Sequence, residues 1–185
     1  MKLHSQIVTF LFSVLSLLNC QPREQQASVE QTDELQPTIN LDSISYVIFE
    51  YDTAELHLYL PDQSYKTSLT KVEIIQCEEL LRKRVEQYVM EKQARMDSIK
   101  IKLPNITLSN DPFWIDLNLY GRQYIAFTNS TNEKFVLVNL FCEPKNHAYW
   151  TEEYVDVDDG GPCYMQALIN LNELVIAEFG VNSPA

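Results

Sequence analysis

The apolar and polar positions divide the chain into three successive parts. An apolar run from Ile7 to Leu18 follows the basic residue Lys2, and a polar stretch rich in Gln, Glu and Pro extends from Gln21 to Asn40. The apolar run has about 12 residues, fewer than the roughly 20 that a membrane-spanning helix needs. It is therefore typical of a cleavable signal peptide, and the polar stretch predicts a solvated tether.

The third part opens with two segments rich in aromatic and aliphatic residues, 45–50 and 55–60, and both predict strands. Thr70 and Glu73 then have the spacing of a capping box, which predicts a long helix that continues to about Asp97. Apolar residues recur along that helix at spacings of three and four, and they predict one core-facing stripe: Ile74, Cys77, Leu81, Val85 and Tyr88. Charged pairs four residues apart are expected on its solvent side: Glu78 with Arg82, and Glu79 with Lys83.

The segment 99–114 contains two prolines and predicts an irregular connection, with room for one short edge strand. Strand patterns then predict two β-hairpins, the first formed by residues 122–128 and 134–142 and the second by residues 163–170 and 174–181. Strands on both sides of one long helix predict an α+β domain, in which that helix packs on a curved, mostly antiparallel sheet. Cystatin-like and NTF2-like domains have this order of elements, which is an analogy of layout only.

The sequence around Cys20 predicts where the protein is attached. Leu17-Leu18-Asn19-Cys20 resembles the bacterial lipobox, in which lipid such as palmitate is joined to the cysteine and cleavage makes it the first mature residue. We therefore expect a signal peptide at 1–19, a lipidated Cys20 with a flexible tether at 20–42, and one domain at 43–185. The alternative is an ordinary signal peptide with an incidental cysteine. The expected location is the envelope of a Gram-negative bacterium, with the outer membrane favoured over the inner one because Gln21 follows the cysteine.

The net negative charge of the chain limits the kinds of molecule that it is expected to bind. The chain has 14 basic and 26 acidic residues, a net charge of −12, and loss of Lys2 with the leader brings the mature chain near −13. Such a chain repels polyanions, so nucleic acid is not expected as a partner, and direct adhesion to anionic lipid head groups is disfavoured as well, so membrane attachment is expected to come from something other than charge. The four glycines do not form a phosphate-binding pattern, and we expect no cofactor.

The cysteines beyond Cys20 have different expected roles. Cys142 ends one predicted strand and Cys163 begins the next, so the two predict a disulfide if those strands are neighbours, in a compartment where disulfides persist. The alternative is two buried free thiols. Cys77 lies on the apolar stripe of the helix and is expected in the core.

Two further groups of residues are candidates for binding. Carboxylates alternate ahead of a glycine in the segment 156–161, and Asp156, Asp158 and Asp159 resemble the start of a calcium loop. The terminal glutamate of an EF-hand is missing, and an Asp-Gly turn that leads into the next strand is the favoured explanation. Tyr149, Trp150 and Tyr154 would form a partner-binding patch if they are exposed.

Four segments together resemble a group of small exported proteins and lipoproteins of Gram-negative bacteria. They are Tyr120-Gly121-Arg122-Gln123-Tyr124-Ile125-Ala126, Val138-Asn139-Leu140-Phe141-Cys142, Val157-Asp158-Asp159-Gly160-Gly161-Pro162-Cys163-Tyr164 and Val181-Asn182-Ser183-Pro184-Ala185. The resemblance covers about residues 65–185, with Asn182-Ser183 where the group commonly has Asn-Gly. It implies an exported single domain and no catalytic residues.

The sequence therefore predicts a lipid-anchored, non-enzymatic domain that binds an envelope protein or another ligand. A small metal-dependent binder or enzyme that uses the Asp156, Asp158 and Asp159 loop is the alternative. A protease inhibitor is a third hypothesis from the cystatin-like layout, disfavoured because the Gln-x-Val-x-Gly segment of cystatins is absent.

Overall fold

The computed structural model describes residues 39–51, 63–106 and 113–183. These residues belong to one compact unit, Pro37–Ala185. The predicted signal peptide, the lipidated Cys20 and most of the predicted tether lie outside the described residues, and so does the predicted strand at 55–60. Within the described part, no helix is both long and apolar enough to cross a membrane.

The described elements are six strands and one long helix. One short 3-10 helix precedes them at Leu41–Ser43, and three more lie between them at Leu117–Leu119, Pro144–Asn146 and Gly161–Cys163. The main elements in chain order are β1 (Ser45–Phe49), β2 (Tyr65–Lys66), α1 (Lys71–Lys102), β3 (Tyr120–Thr128), β4 (Lys134–Cys142), β5 (Tyr164–Asn170) and β6 (Val175–Val181).

The strands form one open sheet in the order β1-β3-β4-β5-β6, and β2 also pairs with β3. The pairs β3–β4 and β5–β6 are antiparallel, as the two predicted hairpins require. The pair β4–β5 is antiparallel too, whereas β1 runs parallel to β3. A register shift interrupts the β5–β6 ladder between Leu168 and Ile169. The predicted α+β layout, with one helix and a mostly antiparallel sheet, is confirmed.

Helix α1 begins where the capping box predicts it. The Thr70 hydroxyl accepts a hydrogen bond from the Glu73 amide, and the Glu73 carboxylate accepts one from the Thr70 amide at 2.7 Å. These contacts satisfy amides that have no partner inside the first turn. The helix ends at Lys102 rather than near Asp97, so residues 99–102 are helical and not part of an irregular connection.

The sheet is covered on both faces, which explains why β3 is buried along most of its length. On the face that packs against α1, alternate strand residues and the helix stripe form the larger core, including Ile74, Leu81, Tyr124, Val138 and Met165. On the opposite face a smaller cluster is formed by Ile125, Phe127 and Leu137, with Phe49, Phe135, Tyr154 and Leu168 packed around it.

The packed part of the chain begins before the predicted end of the tether. Ile39 is buried and Leu41 packs against the larger core, although both were assigned to the tether that ends at residue 42. Asn40 caps the short helix Leu41–Ser43 by accepting from the Asp42 amide. Two apolar residues in an otherwise polar stretch are a weak signal, and only their contacts reveal that they belong to the core.

Candidate functional site

Glu78 lies in the core and not on the solvent side of α1, which corrects the prediction of a surface pair with Arg82. The side chain is fully buried, and so is that of Arg122, its ion-pair partner on β3. The Arg122 Nε donates to Glu78 Oε1 at 3.0 Å, and its Nη2 donates to Glu78 Oε2 at 3.2 Å. The physical reason is position, because residue 78 lies four residues after Ile74 and three before Leu81, within the apolar stripe itself.

The remaining hydrogen bonds of this pair are also satisfied. The Tyr124 hydroxyl donates to Glu78 Oε1 at 2.6 Å, and Arg122 Nη1 donates to the carbonyl oxygens of Leu117 and Tyr120. Burial, reinforced by the charge of Glu78, holds the pKa of Tyr124 well above its ordinary value of 10, so the phenol stays neutral. Because these side chains are shielded from solvent, a substrate cannot reach them, and the cluster joins α1 to β3.

Cys77 lies beside this cluster and is fully buried, as the stripe predicts. Burial, with the nearby charges of Glu78 and Glu73, raises the pKa of its thiol to about 12. A thiol with so high a pKa has almost no thiolate at neutral pH, and the thiolate is the reactive form. Cys77 is therefore a core residue and not a nucleophile.

Cys142 and Cys163 form a disulfide, as predicted, with their Cα atoms 4.9 Å apart. The neighbouring residues Phe141 and Tyr164 are paired across β4 and β5, so the two cysteines lie at adjacent strand ends. The bridge closes the segment 143–162, the disulfide loop.

The middle of the disulfide loop is held by two amide side chains on the second face of the sheet. Gln123 and Asn139 are directly opposite each other on β3 and β4, and Asn139 donates to the Gln123 carbonyl at 3.0 Å. The Gln123 amide group donates to the backbone oxygens of Trp150 and Glu153 at 2.6 and 2.7 Å. The backbone of Val155 bonds to both side chains. Its amide donates to Gln123 Oε1 at 2.9 Å, and its carbonyl accepts from Asn139 Nδ2 at 2.7 Å.

The three candidate aromatic residues of this loop are placed differently. Tyr149 is 65% exposed and has a left-handed backbone, with φ +65°. Trp150 is half-buried with its ring against Phe141, at a centroid distance of 5.6 Å, and Tyr154 packs against the smaller core. A surface formed by the disulfide loop would therefore present chiefly Tyr149 among the three.

The aspartates of the segment 156–159 lie on the same loop. Asp156, Asp158 and Asp159 are exposed, and the chain then turns through Gly160 and Gly161, which have φ values of +89° and +58°. Among the described residues, no three carboxylate, imidazole or thiol groups are placed to hold a metal ion. The calcium hypothesis stays a prediction of the sequence.

A groove that sequence reasoning missed lies between α1 and the segment 113–118. Its wider end has a volume of about 380 Å³ and is lined by Val85, Glu86, Val89, Met90, Trp114 and Ile115. Two of these side chains are apolar and open to solvent, since Trp114 is 67% exposed and Met90 is 72% exposed. Exposed large apolar side chains that border a groove indicate a contact surface more strongly than isolated ones do.

The narrower end of the groove is polar. It has a volume of about 150 Å³, and its lining includes Arg82, Glu86, Asp116 and Asn118. Asp116 already accepts from the Asn118 amide and side chain at 3.0 and 2.9 Å. The Arg82 Nε is buried there and has no hydrogen-bond partner in the described structure.

The segment 113–118 is held against the helix by contacts that leave Trp114 outside. Phe113 packs edge-on against Tyr88 with ring centroids 5.9 Å apart, and its amide donates to the Gln93 side chain at 3.2 Å. The sequence signal for this site was the adjacent pair Phe113-Trp114 in a segment that predicts no regular element. Since the wall opposite Trp114 belongs to a helix more than 20 residues earlier in the chain, the pair alone did not predict a groove.

Comparison with known proteins gives no relative for this chain, since no family model, no curated protein and no solved structure matches it. The resemblance to small exported proteins therefore remains a prediction that rests on its motif residues.

Proposed function

We propose that this protein is a non-enzymatic binding domain of the bacterial envelope, anchored by lipid on Cys20, and that the groove between α1 and residues 113–118 binds an apolar segment of a protein partner. The observation that carries the proposal is the exposure of Trp114 and Met90 beside a groove lined by Val85, Val89 and Ile115. The anchor rests on the lipobox-like sequence before Cys20.

The residue types at the groove support a protein partner. Trp, Met and Arg are enriched at protein interfaces, and Trp and Arg are prominent among the residues that dominate binding energy. The groove has Trp114 and Met90 at its wide end and Arg82 at its narrow end. Burial of Trp114 by a partner would remove a large apolar surface from water, which favours association.

The charges at the groove restrict the chemistry of the partner segment. Glu86 lines both ends, and Asp116 and Arg82 line the narrow end, so a carboxylate or phosphate at the wide end would meet the negative charge of Glu86 and no positive charge from the lining residues. An apolar side chain at the wide end avoids this repulsion. We therefore expect an apolar stretch of polypeptide rather than an anionic small molecule.

The experiment is photo-crosslinking in the native envelope, followed by capture of the protein and identification of the attached partner. Trp114→Ala is compared with Tyr149→Ala, since Tyr149 is an aromatic residue of similar exposure on the disulfide loop. We expect Trp114→Ala to lower the yield of the crosslinked partner at least tenfold, in keeping with the loss of a dominant interface residue. Tyr149→Ala should leave the yield unchanged.

The opposite pattern, loss with Tyr149→Ala and retention with Trp114→Ala, would place the contact on the disulfide loop and refute the groove. Equal yields in both variants and the parent would refute it as well. The anchor is tested separately by the intact mass of the mature chain, which should include lipid on Cys20 and lose it in Cys20→Ala.

A further inference from the structure

Helix α1 is longer than the sheet that it covers. Its 32 residues extend about 48 Å at 1.5 Å per residue, whereas the nine residues of β3 extend about 30 Å. The buried residues of α1 all lie between Ile74 and Val85. In the described part of the chain, the hydrogen bond between the Phe113 amide and the Gln93 side chain is the last one that joins α1 to the segment 113–118. The last part of the helix and the four residues after it, 92–106, form the helix tip.

The positions that continue the core-facing stripe into the helix tip are less buried than those of the first half of α1. After Val85 and Tyr88, the spacing of three and four leads to Lys92, Met96, Ile99 and Leu103. Lys92 and Leu103 are exposed, and Met96 and Ile99 are half-buried. The side of α1 that is covered by the sheet in its first half is thus only partly covered in its second half.

The helix tip combines positive charge with exposed aliphatic side chains. Between residues 92 and 106 there are four basic residues and one acidic residue, a net charge of +3 in a chain of net charge −12. The exposed aliphatic residues of the helix tip are Ile101, Leu103 and Ile106, of which Ile101 is 82% exposed. Aliphatic side chains flanked by Lys and Arg are characteristic of surfaces that settle at the boundary of an anionic bilayer.

We propose that the helix tip is a second membrane contact, which binds the anionic phospholipid surface and inserts Ile101, Leu103 and Ile106 among the lipid chains. This inference rests on the proposed anchor, because lipid on Cys20 holds the domain close to a bilayer. The net negative charge of the chain does not oppose the contact, since charges farther away than about 8 Å are largely screened at physiological ionic strength. The helix tip extends along the helix axis beyond the last buried turn, and its local positive charge is attracted to an anionic leaflet.

The aliphatic residues favour a lipid surface over an acidic protein. An acidic protein segment would pair with Lys92, Arg95 and Lys102 and leave a residue as exposed as Ile101 in water. A bilayer satisfies both kinds of side chain, because the ammonium and guanidinium groups reach the phosphates while the aliphatic groups enter the hydrocarbon.

The test uses the full mature chain with its anchor, reconstituted in phosphatidylcholine vesicles with or without phosphatidylglycerol. A phospholipid with a photoreactive acyl chain reports which residues touch the hydrocarbon, and the adducts are mapped by mass spectrometry. We expect adducts at residues 99–106 that are at least tenfold more abundant when phosphatidylglycerol is present. The triple variant Lys92→Glu, Arg95→Glu and Lys102→Glu should lower them at least tenfold, because these three residues are exposed on the helix tip.

The matched control is Lys71→Glu, Lys83→Glu and Lys145→Glu, which changes the net charge equally at three exposed residues elsewhere. It should leave the adducts unchanged, and Ile101→Ser with Leu103→Ser should remove them without any change of charge. Thermal unfolding of each variant separates a loss of contact from a loss of fold.

A lipidated chain with no adducts at 99–106, or with adducts that the control lowers as much as the triple variant does, would overturn the membrane contact and leave the anchor standing. Photo-crosslinks from residues 99–106 to an acidic protein in the native envelope, in place of lipid, would overturn it too. A mature chain without lipid on Cys20 would overturn the anchor, while the adduct map would still report on the helix tip.

Discussion

At the scale of single residues, Glu78 is buried in the core, although its charge predicted a place on the solvent side of α1. Taking a carboxylate and a guanidinium out of water costs several kcal/mol each, and only close pairing with further hydrogen bonds offsets that cost. Glu78 has this compensation, since Arg122 and Tyr124 both donate to it and Arg122 also reaches two backbone carbonyls. The pair therefore stabilises one arrangement of helix and sheet and penalises any other.

We expect Glu78→Gln to lower the free energy of unfolding by about 3–5 kcal/mol, the usual effect of leaving one buried charge without its partner. The amide has the same shape but no charge, and its NH₂ group cannot accept from Arg122 or Tyr124. Urea unfolding followed by circular dichroism measures the change.

Glu79→Gln is the matched control for that variant, because Glu79 is the next residue along the helix and is exposed. It should change the free energy of unfolding by less than about 0.5 kcal/mol. Equal effects of the two substitutions would mean that the Glu78–Arg122 pair does not hold α1 on the sheet.

The helical period alone places residue 78 in the apolar stripe, yet its charge argued for the solvent side. The information that decides between the two is Arg122, which lies 44 positions later on a strand. A local pattern cannot pair residues at that distance, so the surface pair with Arg82 was the natural expectation and was wrong.

At the scale of elements, the disulfide loop is held at both ends by a covalent bond and in the middle by Gln123 and Asn139. The disulfide joins residues separated by 21 positions, which is expected to stabilise the fold by about 3 kcal/mol, chiefly through the unfolded state. The amide contacts act within the folded state. Because the disulfide acts chiefly through the unfolded state and the amide contacts act in the folded state, substitutions can test the two independently.

We expect Cys142→Ala with Cys163→Ala to lower the free energy of unfolding by about 3 kcal/mol and to leave the backbone amide of Val155 protected from hydrogen exchange. Gln123→Glu should make the Val155 amide exchange faster, because a carboxylate would direct an oxygen at the carbonyls of Trp150 and Glu153 and open the loop. Hydrogen exchange resolved by residue measures both.

Gln87→Glu, at an exposed helix position, is the control for the charge that Gln123→Glu introduces, and it should leave the exchange of Val155 unchanged. Rapid exchange of Val155 in the cysteine variant would show that the disulfide alone holds the loop.

The elements that the sequence predicted well are those specified by neighbouring residues. The capping box at Thr70 and the two hairpins depend on contacts within a few residues, and both were confirmed. The parallel pairing of β1 with β3 and the extension of α1 to Lys102 depend on distant contacts or on the absence of a strong stop signal. The groove belongs to this second kind, since it joins Met90 to Trp114.

At the scale of the whole molecule, the buried ionisable groups predict sensitivity to alkaline pH. Burial raises the pKa of Cys77 and of Tyr120 to about 12, and it holds that of Tyr124 well above 10. In the unfolded chain these groups lose their protons near their ordinary pKa values, about 8.5 for Cys and 10 for Tyr. At a pH between the unfolded-state and the folded-state pKa of such a group, the folded state binds more protons than the unfolded state.

We therefore expect the free energy of unfolding to be constant with respect to these groups below about pH 8 and to fall as the pH rises from about 9 towards 12. Each group that is protonated only in the folded state contributes a slope of about −1.4 kcal/mol per pH unit. Urea unfolding at a series of pH values measures the slope.

Cys77→Ala removes one of these groups and should make the slope shallower by about 1.4 kcal/mol per pH unit between pH 9 and 12, whatever its constant cost to packing. An identical slope in the variant and the parent would mean that Cys77 does not retain its proton through this range.

The parallel pairing of β1 has a consequence for the order in which the chain folds. Ser45 pairs with Gly121, so partners whose numbers differ by 76 must meet across the whole of α1, whereas β3 joins β4, and β5 joins β6, through turns of a few residues. Because pairing between distant segments is slow, we expect β1, the first of the described strands to be synthesised, to be the last of them to dock. Among the described strands β1 pairs only with β3, so until β3 emerges its aliphatic and aromatic side chains and its backbone have no strand partner there, and a factor that binds the chain during synthesis would find its target at β1.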